Sequence, residues 1–272
     1  MYTGIRDIKL TDEDLAKYYE GNLEFDLLKN EYLILRNSNG DIVEKLKFNG
    51  KKLIQLTKKT FKNGFSKDTI KPLNIEQECW FDSLDNKDTT VKIVYGGYGS
   101  GKTYNAFYWA LGQIYDGSYE KLVYIRNNVP AKDVPTIGLI KGGVDAKLMP
   151  SAMPMVDILG SMSTFEEYIY RGTIELAPLE YVRGRTFRNS IILVSECQNI
   201  TKDIIVTLLS RVGDGSVIIF DGDERQSDSK VFIESMGIHT LVETLKGNEL
   251  VSIVRLNKCV RSKTAALCEL FE

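Results

Sequence analysis

Residues 91–110 read VKIVYGGYGSGKTYNAFYWA. A β-branched apolar run, Val91, Ile93 and Val94, leads into Gly96-Gly97-Tyr98-Gly99-Ser100-Gly101-Lys102-Thr103. Helically spaced apolar residues follow at once with Ala106, Phe107, Trp109 and Ala110. This is the G-x-x-x-x-G-K-[ST] phosphate loop in the setting it requires, with a strand before it and a helix after it. The glycines let backbone N–H groups turn inward around a phosphate, because a Cβ would clash at the positive φ the turn needs. The helix N-terminus adds orphan donors and partial positive charge at the same point. In that arrangement Lys102 reaches the β- and γ-phosphates and the Thr103 hydroxyl meets Mg²⁺. Residues Gly96 to Thr103 are therefore expected to hold a nucleoside triphosphate.

Downstream, Lys121–Arg126 (KLVYIR) reads as a second buried strand, so that strand, helix and strand form a βαβ unit and a parallel sheet. The Pro-containing loop after it, up to Gly143, lies where parallel folds place ligands. The methionines and prolines from Met149 to Gly160 suggest an irregular surface element. Arg171 to Ala177 reads as a short strand. Val182-Arg183-Gly184-Arg185-Thr186-Phe187 sets two arginines around a glycine, a compact arrangement for an anion and a candidate nucleic-acid contact. Ile191-Ile192-Leu193-Val194 is an apolar central strand that delivers Ser195-Glu196-Cys197-Gln198-Asn199 at its tip. Glu196 is placed there to orient or deprotonate an attacking water and, with Thr103, to hold the metal. A further strand, Ser216 to Phe220, ends in Asp221-Gly222-Asp223-Glu224-Arg225-Gln226, which puts Asp223 and Gln226 on a loop facing the γ-phosphate. Val251 to Arg255 gives a last strand, and a terminal helix carries Arg261.

Upstream, Glu31–Arg36 and Asp41–Leu46 flank Asn37-Ser38-Asn39-Gly40, a strong hairpin signal. A lysine-rich stretch from Lys45 to Lys71 follows, with Phe48, Phe61 and Phe65 interleaved. Cation plus aromatic suits a single-stranded nucleic-acid groove, with Lys51 and Lys52 as contacts, whereas a solvated basic face is the commoner origin of such runs. Gln77 stands just ahead of the phosphate-loop strand, where its amide offers one donor and one acceptor to the edge of adenine. The expected organisation is a connector over residues 1–70 and an ATPase core over 71–272.

Composition narrows the class without naming it. The 272 residues are 43% hydrophobic and 26% charged, as in ordinary globular proteins, and the net charge is −2. Any nucleic-acid binding must then come from a local basic surface. The scattered cysteines, Cys79, Cys197, Cys259 and Cys268, form no C-x-x-C pair and favour reduced thiols in the cytoplasm. No apolar run approaches the ~18 residues of a membrane span. The lone His239 has no metal-ligand partners at binding spacing.

Taken together, the Gln77 stretch, GGYGSGKT, VRGRTF (Val182–Phe187), SECQN (Ser195–Asn199), LLSRVGDGS (Leu208–Ser216), GDERQ (Gly222–Gln226) and VRLNKCVRS (Val254–Ser262) resemble the PhoH family. Its members are ATPases related to the amino-terminal core of superfamily-one helicases. The resemblance covers about residues 70–272. It implies a RecA-like α/β fold, a parallel sheet flanked by helices with a small N-terminal β-hairpin appendage, and ATP with Mg²⁺ as cofactors. It further implies action on RNA or single-stranded DNA and a hexameric ring in which an arginine is supplied in trans. Arg261 is the first choice for that arginine and Arg211 the second. Longer relatives also carry a PIN-type nuclease domain before such a connector. One position departs from the family: Asp-Glu is usual at the central strand tip, and here it is Ser195-Glu196. A neutral hydroxyl is a weak partner for a hard cation, so weakened Mg²⁺ binding or slow hydrolysis is expected. That departure keeps open an assembly protein with regulatory hydrolysis as the alternative function.

Overall fold

The computed structural model describes residues 1–64, 68–126, 144–224 and 237–260. The loop from Asn127 to Gly143, Gln226 and the terminal segment with Arg261 lie outside them. At the centre is a six-stranded sheet of β7 (Val91–Tyr95), β8 (Lys121–Arg126), β9 (Ile174–Leu176), β10 (Ser190–Ser195), β11 (Val217–Gly222) and β12 (Val251–Arg255). Its order is β12-β7-β11-β10-β8-β9, and every pairing is parallel. β10 and β11 are buried along their whole length, which is why they read as continuous apolar runs rather than alternating ones.

Helices cover both faces. On one lie α2 (Ile75–Asp85), α3 (Lys102–Tyr115), α4 (Val144–Leu159) and α5 (Met162–Tyr170), in a core with Trp80, Phe107, Phe165 and Leu193. On the other lie α6 (Lys202–Leu209) and α7 (Gly237–Leu245), around Ile205, Leu241, Phe220 and Ile253. The result is the RecA-like three-layer α/β architecture. The chain leaves β7 toward β8 on one side and returns through β11 toward β12 on the other. The carboxyl ends of β7 and β11 therefore flank a topological switch point, where such sheets bind ligands.

The expected irregular element is instead α4. Pro154 is tolerated in it, and Ala152, Met155 and Val156 are buried against the sheet. The apolar spacing of Met149, Ala152, Val156 and Leu159 is helical, and it outweighs the prolines because the buried stripe is continuous with the core around α3.

The N-terminal hairpin is present as β2 (Tyr32–Arg36) and β3 (Ile42–Phe48), and it is half of a four-stranded sheet. β1 (Ile5–Lys9) adds in parallel to β2, and β4 (Leu53–Gln55) adds antiparallel to β3. Between β1 and β2 comes α1 (Asp12–Tyr19), capped by the Thr11 hydroxyl on the Asp14 N–H. Two short strands, β5 (Phe61–Lys62) and β6 (Thr69–Ile70), pair with each other ahead of α2.

Three lysines of the basic stretch are held by α2, while Lys51, Lys52, Lys58, Lys62 and Lys71 are exposed. Lys45 pairs with Glu78 at 2.7 Å, Lys47 with Asp82 at 2.9 Å and Lys59 with Asp85 at 2.6 Å. Tyr32 Oη also donates to Asp82. These lysines fasten the small sheet to α2, whereas Lys51 and Lys52, in the turn before β4, are exposed.

Candidate nucleotide-binding site

The phosphate loop connects β7 to α3, and three of its glycines, Gly96, Gly99 and Gly101, have positive φ. At Gly96 the requirement is absolute: a Cβ would stand 2.0 Å from the Leu256 carbonyl oxygen. The Lys102 ammonium rests on the Gly96 and Gly97 carbonyls at 2.7 and 2.9 Å. The Ser100 hydroxyl donates to the Gly97 carbonyl, and the Val260 N–H donates to that of Gly99.

A cleft of about 640 Å³ opens over the loop, within the range of small-molecule sites. Tyr98, Gly99, Gly101, Lys102 and Thr103 line one end, facing the strand-tip acids Glu196, Asp221 and Asp223. Ile70, Leu73, Tyr104 and Ile158 supply an apolar wall beside Gln77. Gln77 is buried, with its Nε2 donating to the Ser100 carbonyl at 2.9 Å and its Oε1 accepting from the Leu73 N–H at 2.8 Å. It braces the loop from the start of α2, where the Asn74 side chain caps the helix.

The acidic side is a network that sequence reasoning saw only in part. Glu196 sits in the left-handed region at φ 60°, a conformation costing a non-glycine residue ~1 kcal/mol and characteristic of functional positions. Its carboxylate accepts from Arg126 at 3.3 Å and from Gln198 Nε2 at 2.6 Å. Gln198 Oε1 in turn accepts from the Asp223 N–H at 2.9 Å. The tips of β8, β10 and β11 are thus tied together through Arg126 and Gln198. Asp221 was also without an assigned role. It is buried and accepts a hydrogen bond from the Thr103 hydroxyl. Burial pushes its carboxyl up to about 6, against the pull of Lys102 and of the Thr103 hydrogen bond.

The cleft therefore brings together Gln77, the phosphate loop, Thr103, Glu196 and Asp223. Arg183, Arg185, Lys51 and Lys52 are not among its lining residues. Arg183 is exposed. Arg185 pairs with Glu175 at 2.5 Å and lies 4.6 Å over the Phe187 ring. Arg211 donates to the Arg185 carbonyl of its own chain at 3.4 Å. His239 is exposed on α7. Among the described residues, no group of three or more His, Cys, Asp or Glu side chains is arranged to hold a metal by itself. None of the described helices is long and apolar enough to cross a membrane.

A phosphate loop between the first strand of a six-stranded parallel sheet and the helix that follows it, with acids delivered from β10 and β11, defines a P-loop NTPase of the RecA-like class. The PhoH-like protein family matches residues 69–271, and the chain belongs to that family. Over 300 aligned residues it is 30% identical to Protein PhoH2 of Bacillus subtilis, an alignment covering 98% of this chain and 63% of that protein. Protein PhoH2 of Thermobispora bispora is 26% identical over 98% of this chain and 62% of its own length. Protein PhoH of Escherichia coli K12 is 32% identical over 64% of this chain and 49% of its own length. The chain thus spans less than two thirds of each of these relatives.

Proposed function

We propose that this chain binds and hydrolyses ATP with Mg²⁺ and couples turnover to RNA or single-stranded DNA as a helicase-like oligomer. The observation that carries the nucleotide part is the cleft itself, lined by the phosphate loop, by strand-tip acids and by apolar residues beside Gln77. In it Lys102 exchanges its two backbone carbonyls for phosphate oxygens, and Thr103 meets the cation. The donor set fits a hard divalent ion, since hydroxyl and carboxylate oxygens converge at Thr103 and Asp221. When bound, that ion neutralises charge on the transferring phosphoryl group. Glu196, oriented by Arg126 and Gln198, is the base or positioning group for water. Leu73 and Tyr104 offer apolar surface to a base, and Gln77, its amide bonded to Leu73 and Ser100, keeps one N–H and one lone pair for the base edge.

The polymer part rests on the exposed Arg183 beside Arg185, and on the family's kinship with helicase cores. A single RecA-like sheet with one phosphate loop needs a transition-state arginine from elsewhere, and a neighbouring subunit is its source in a hexameric ring. Arg261 is the proposed donor. The proposed division falls near residue 70, with the four-stranded sheet acting as the connector to α2.

The test is the ATP turnover rate with and without single-stranded RNA and DNA, with Lys102→Ala as the blank. Stimulation by one polymer, weakening steeply with salt, is the expected result. Turnover above the blank that ignores both polymers overturns the coupling and leaves a nucleotide-stabilised assembly protein.

A further inference from the structure

We infer that Asp221, at the tip of β11, is the Mg²⁺-anchoring carboxylate of this chain, one strand over from the position where Ser195 stands. The inference rests on the nucleotide reading of the cleft and specifies which residue completes it.

Strand register carries the first step. β10 and β11 are parallel, with Ile191 opposite Val217 and Val194 opposite Phe220. The next step in that register sets Ser195 opposite Asp221. Cβ direction alternates along a strand, so Ser195 and Asp221 project from the same face of neighbouring strands roughly 4.8 Å apart. Leu193 and Ile219, two residues earlier on each strand, both belong to the core on the α3 face. A carboxylate moved from position 195 to position 221 therefore serves nearly the same space.

Hydrogen bonding carries the second step. The Ser195 side chain hydrogen-bonds with the Tyr124 phenol on the neighbouring β8. Asp221 instead accepts from the Thr103 hydroxyl, the phosphate-loop oxygen that meets the cation. β11 is also hydrogen-bonded directly to β7, with Asp221 opposite Val94, so the carboxylate is fixed against the strand that leads into the loop. The other two strand-tip acids of the cleft are held differently. Glu196 is tied to Arg126 and Gln198, and the backbone of Asp223 is held by Gln198. Asp221 is in direct hydrogen-bond contact with Thr103.

The consequence reverses what Ser195 alone suggests. Mg²⁺ binding is not weakened by the serine, because the charge is supplied from β11. Restoring an aspartate at 195 sets two carboxylates side by side and brings repulsion rather than gain.

The test is a Mg²⁺ titration of fluorescent ADP binding to the full chain, alongside nucleotide binding in EDTA. Asp221→Asn keeps the acceptor for Thr103 and should retain nucleotide binding in EDTA, while its Mg²⁺ affinity falls by about 10- to 100-fold, the usual cost of losing a metal-orienting group. Ser195→Ala should match the wild type. Ser195→Asp combined with Asp221→Ser should recover most of the lost affinity, a result that misfolding of the single variant cannot mimic. Wild-type Mg²⁺ affinity in Asp221→Asn, or a loss in Ser195→Ala, overturns the assignment and leaves the nucleotide site standing. A wild-type chain that binds no ADP with or without Mg²⁺ sinks the nucleotide reading and this inference together.

Discussion

Lys92 lies inside the strand that leads to the phosphate loop, 1% exposed, and its ammonium reaches the end of α2. Its Nζ donates to the Ser83 carbonyl at 2.6 Å, the Asn86 carbonyl at 2.8 Å and the Thr89 hydroxyl at 2.9 Å. The carbonyls of Ser83 and Asn86 belong to the last turn and cap of α2, where the Asn86 N–H serves the first at 3.3 Å and the Thr89 hydroxyl the second at 3.2 Å, so Lys92 gives each a second donor. Lys92 thus pins β7, which carries the loop, to the helix that carries its brace Gln77. Burial lowers its titration from 10.5 to about 7. Because the folded value is depressed, the unfolded chain binds more protons between those two values. Stability is then highest above the unfolded value and is lost as pH falls toward 7. Integrating the difference from pH 7 to pH 9 gives about 2 kcal/mol. From roughly pH 9 upward the sign reverses, since burial raises the Cys79 and Cys197 thiols and then Tyr2, Tyr32 and Tyr95, and the unfolded thiols and phenols ionise first. Lys92→Met keeps the stem and removes the titration, at a pH-independent cost of about 0.5–1.5 kcal/mol for each hydrogen bond lost, since both carbonyls keep another donor. Urea midpoints at pH 7, 8 and 9 read both effects. The wild type should gain stability across that window and Lys92→Met should lose that gain. An equal pH slope in wild type and variant, in both of which the buried Cys79 and Cys197 thiols act alike, refutes the buried-lysine reasoning.

Asp221 carries an opposite dependence: its folded value of about 6 lies above 3.8, so the stability it contributes at low pH is lost as pH rises through 6. Asp221→Asn should therefore raise the stability of the nucleotide-free chain at pH 7 by at most about 3 kcal/mol, and melting curves in EDTA should converge near pH 4. Gly96→Ala meets the Leu256 carbonyl oxygen at 2.0 Å with φ at +133°, whereas a Cβ on Gly97 meets nothing within 4 Å. Calorimetry should find the first destabilised by at least ~2 kcal/mol and the second near neutral. Lys51→Ala and Lys52→Ala, exposed, should leave the melting temperature unchanged, and if they touch the polymer each reduces the salt slope of its binding by about one. Lys47→Ala should instead cost ~3 kcal/mol in urea unfolding, because it strips the cation from the part-buried Asp82.

The phosphate loop and the parallel strands were legible because each is a local pattern: glycines at fixed spacing, and apolar runs long enough for one strand. β1 was not, since Ile5-Arg6-Asp7-Ile8-Lys9 has no strand periodicity of its own. It is held by pairing with β2 and by the Arg6–Glu31 and Asp7–Arg36 ion pairs, which are 25 and 29 residues apart in the chain. α4 was hidden because proline and methionine content spoke louder than a helical stripe. At the site, Lys102, Thr103 and Glu196 stand in motifs and could be named. Arg126, Gln198 and Asp221 could not, because their roles come from strand order. Only the lateral sequence β7-β11-β10-β8 sets Asp221 against Thr103 and Arg126 against Glu196. The basic stretch was ambiguous for the same reason, its partners Glu78, Asp82 and Asp85 being spaced along a helix elsewhere in sequence.

The most direct measurement is a calorimetric titration of ATP with Mg²⁺ into the wild-type chain and into Lys102→Ala. The expected result is stoichiometric binding to the wild type, weakened at least about tenfold in the variant, since the charge that meets the β- and γ-phosphates is gone. Equal affinity in both chains, or no binding to either, contradicts a nucleotide site in this cleft.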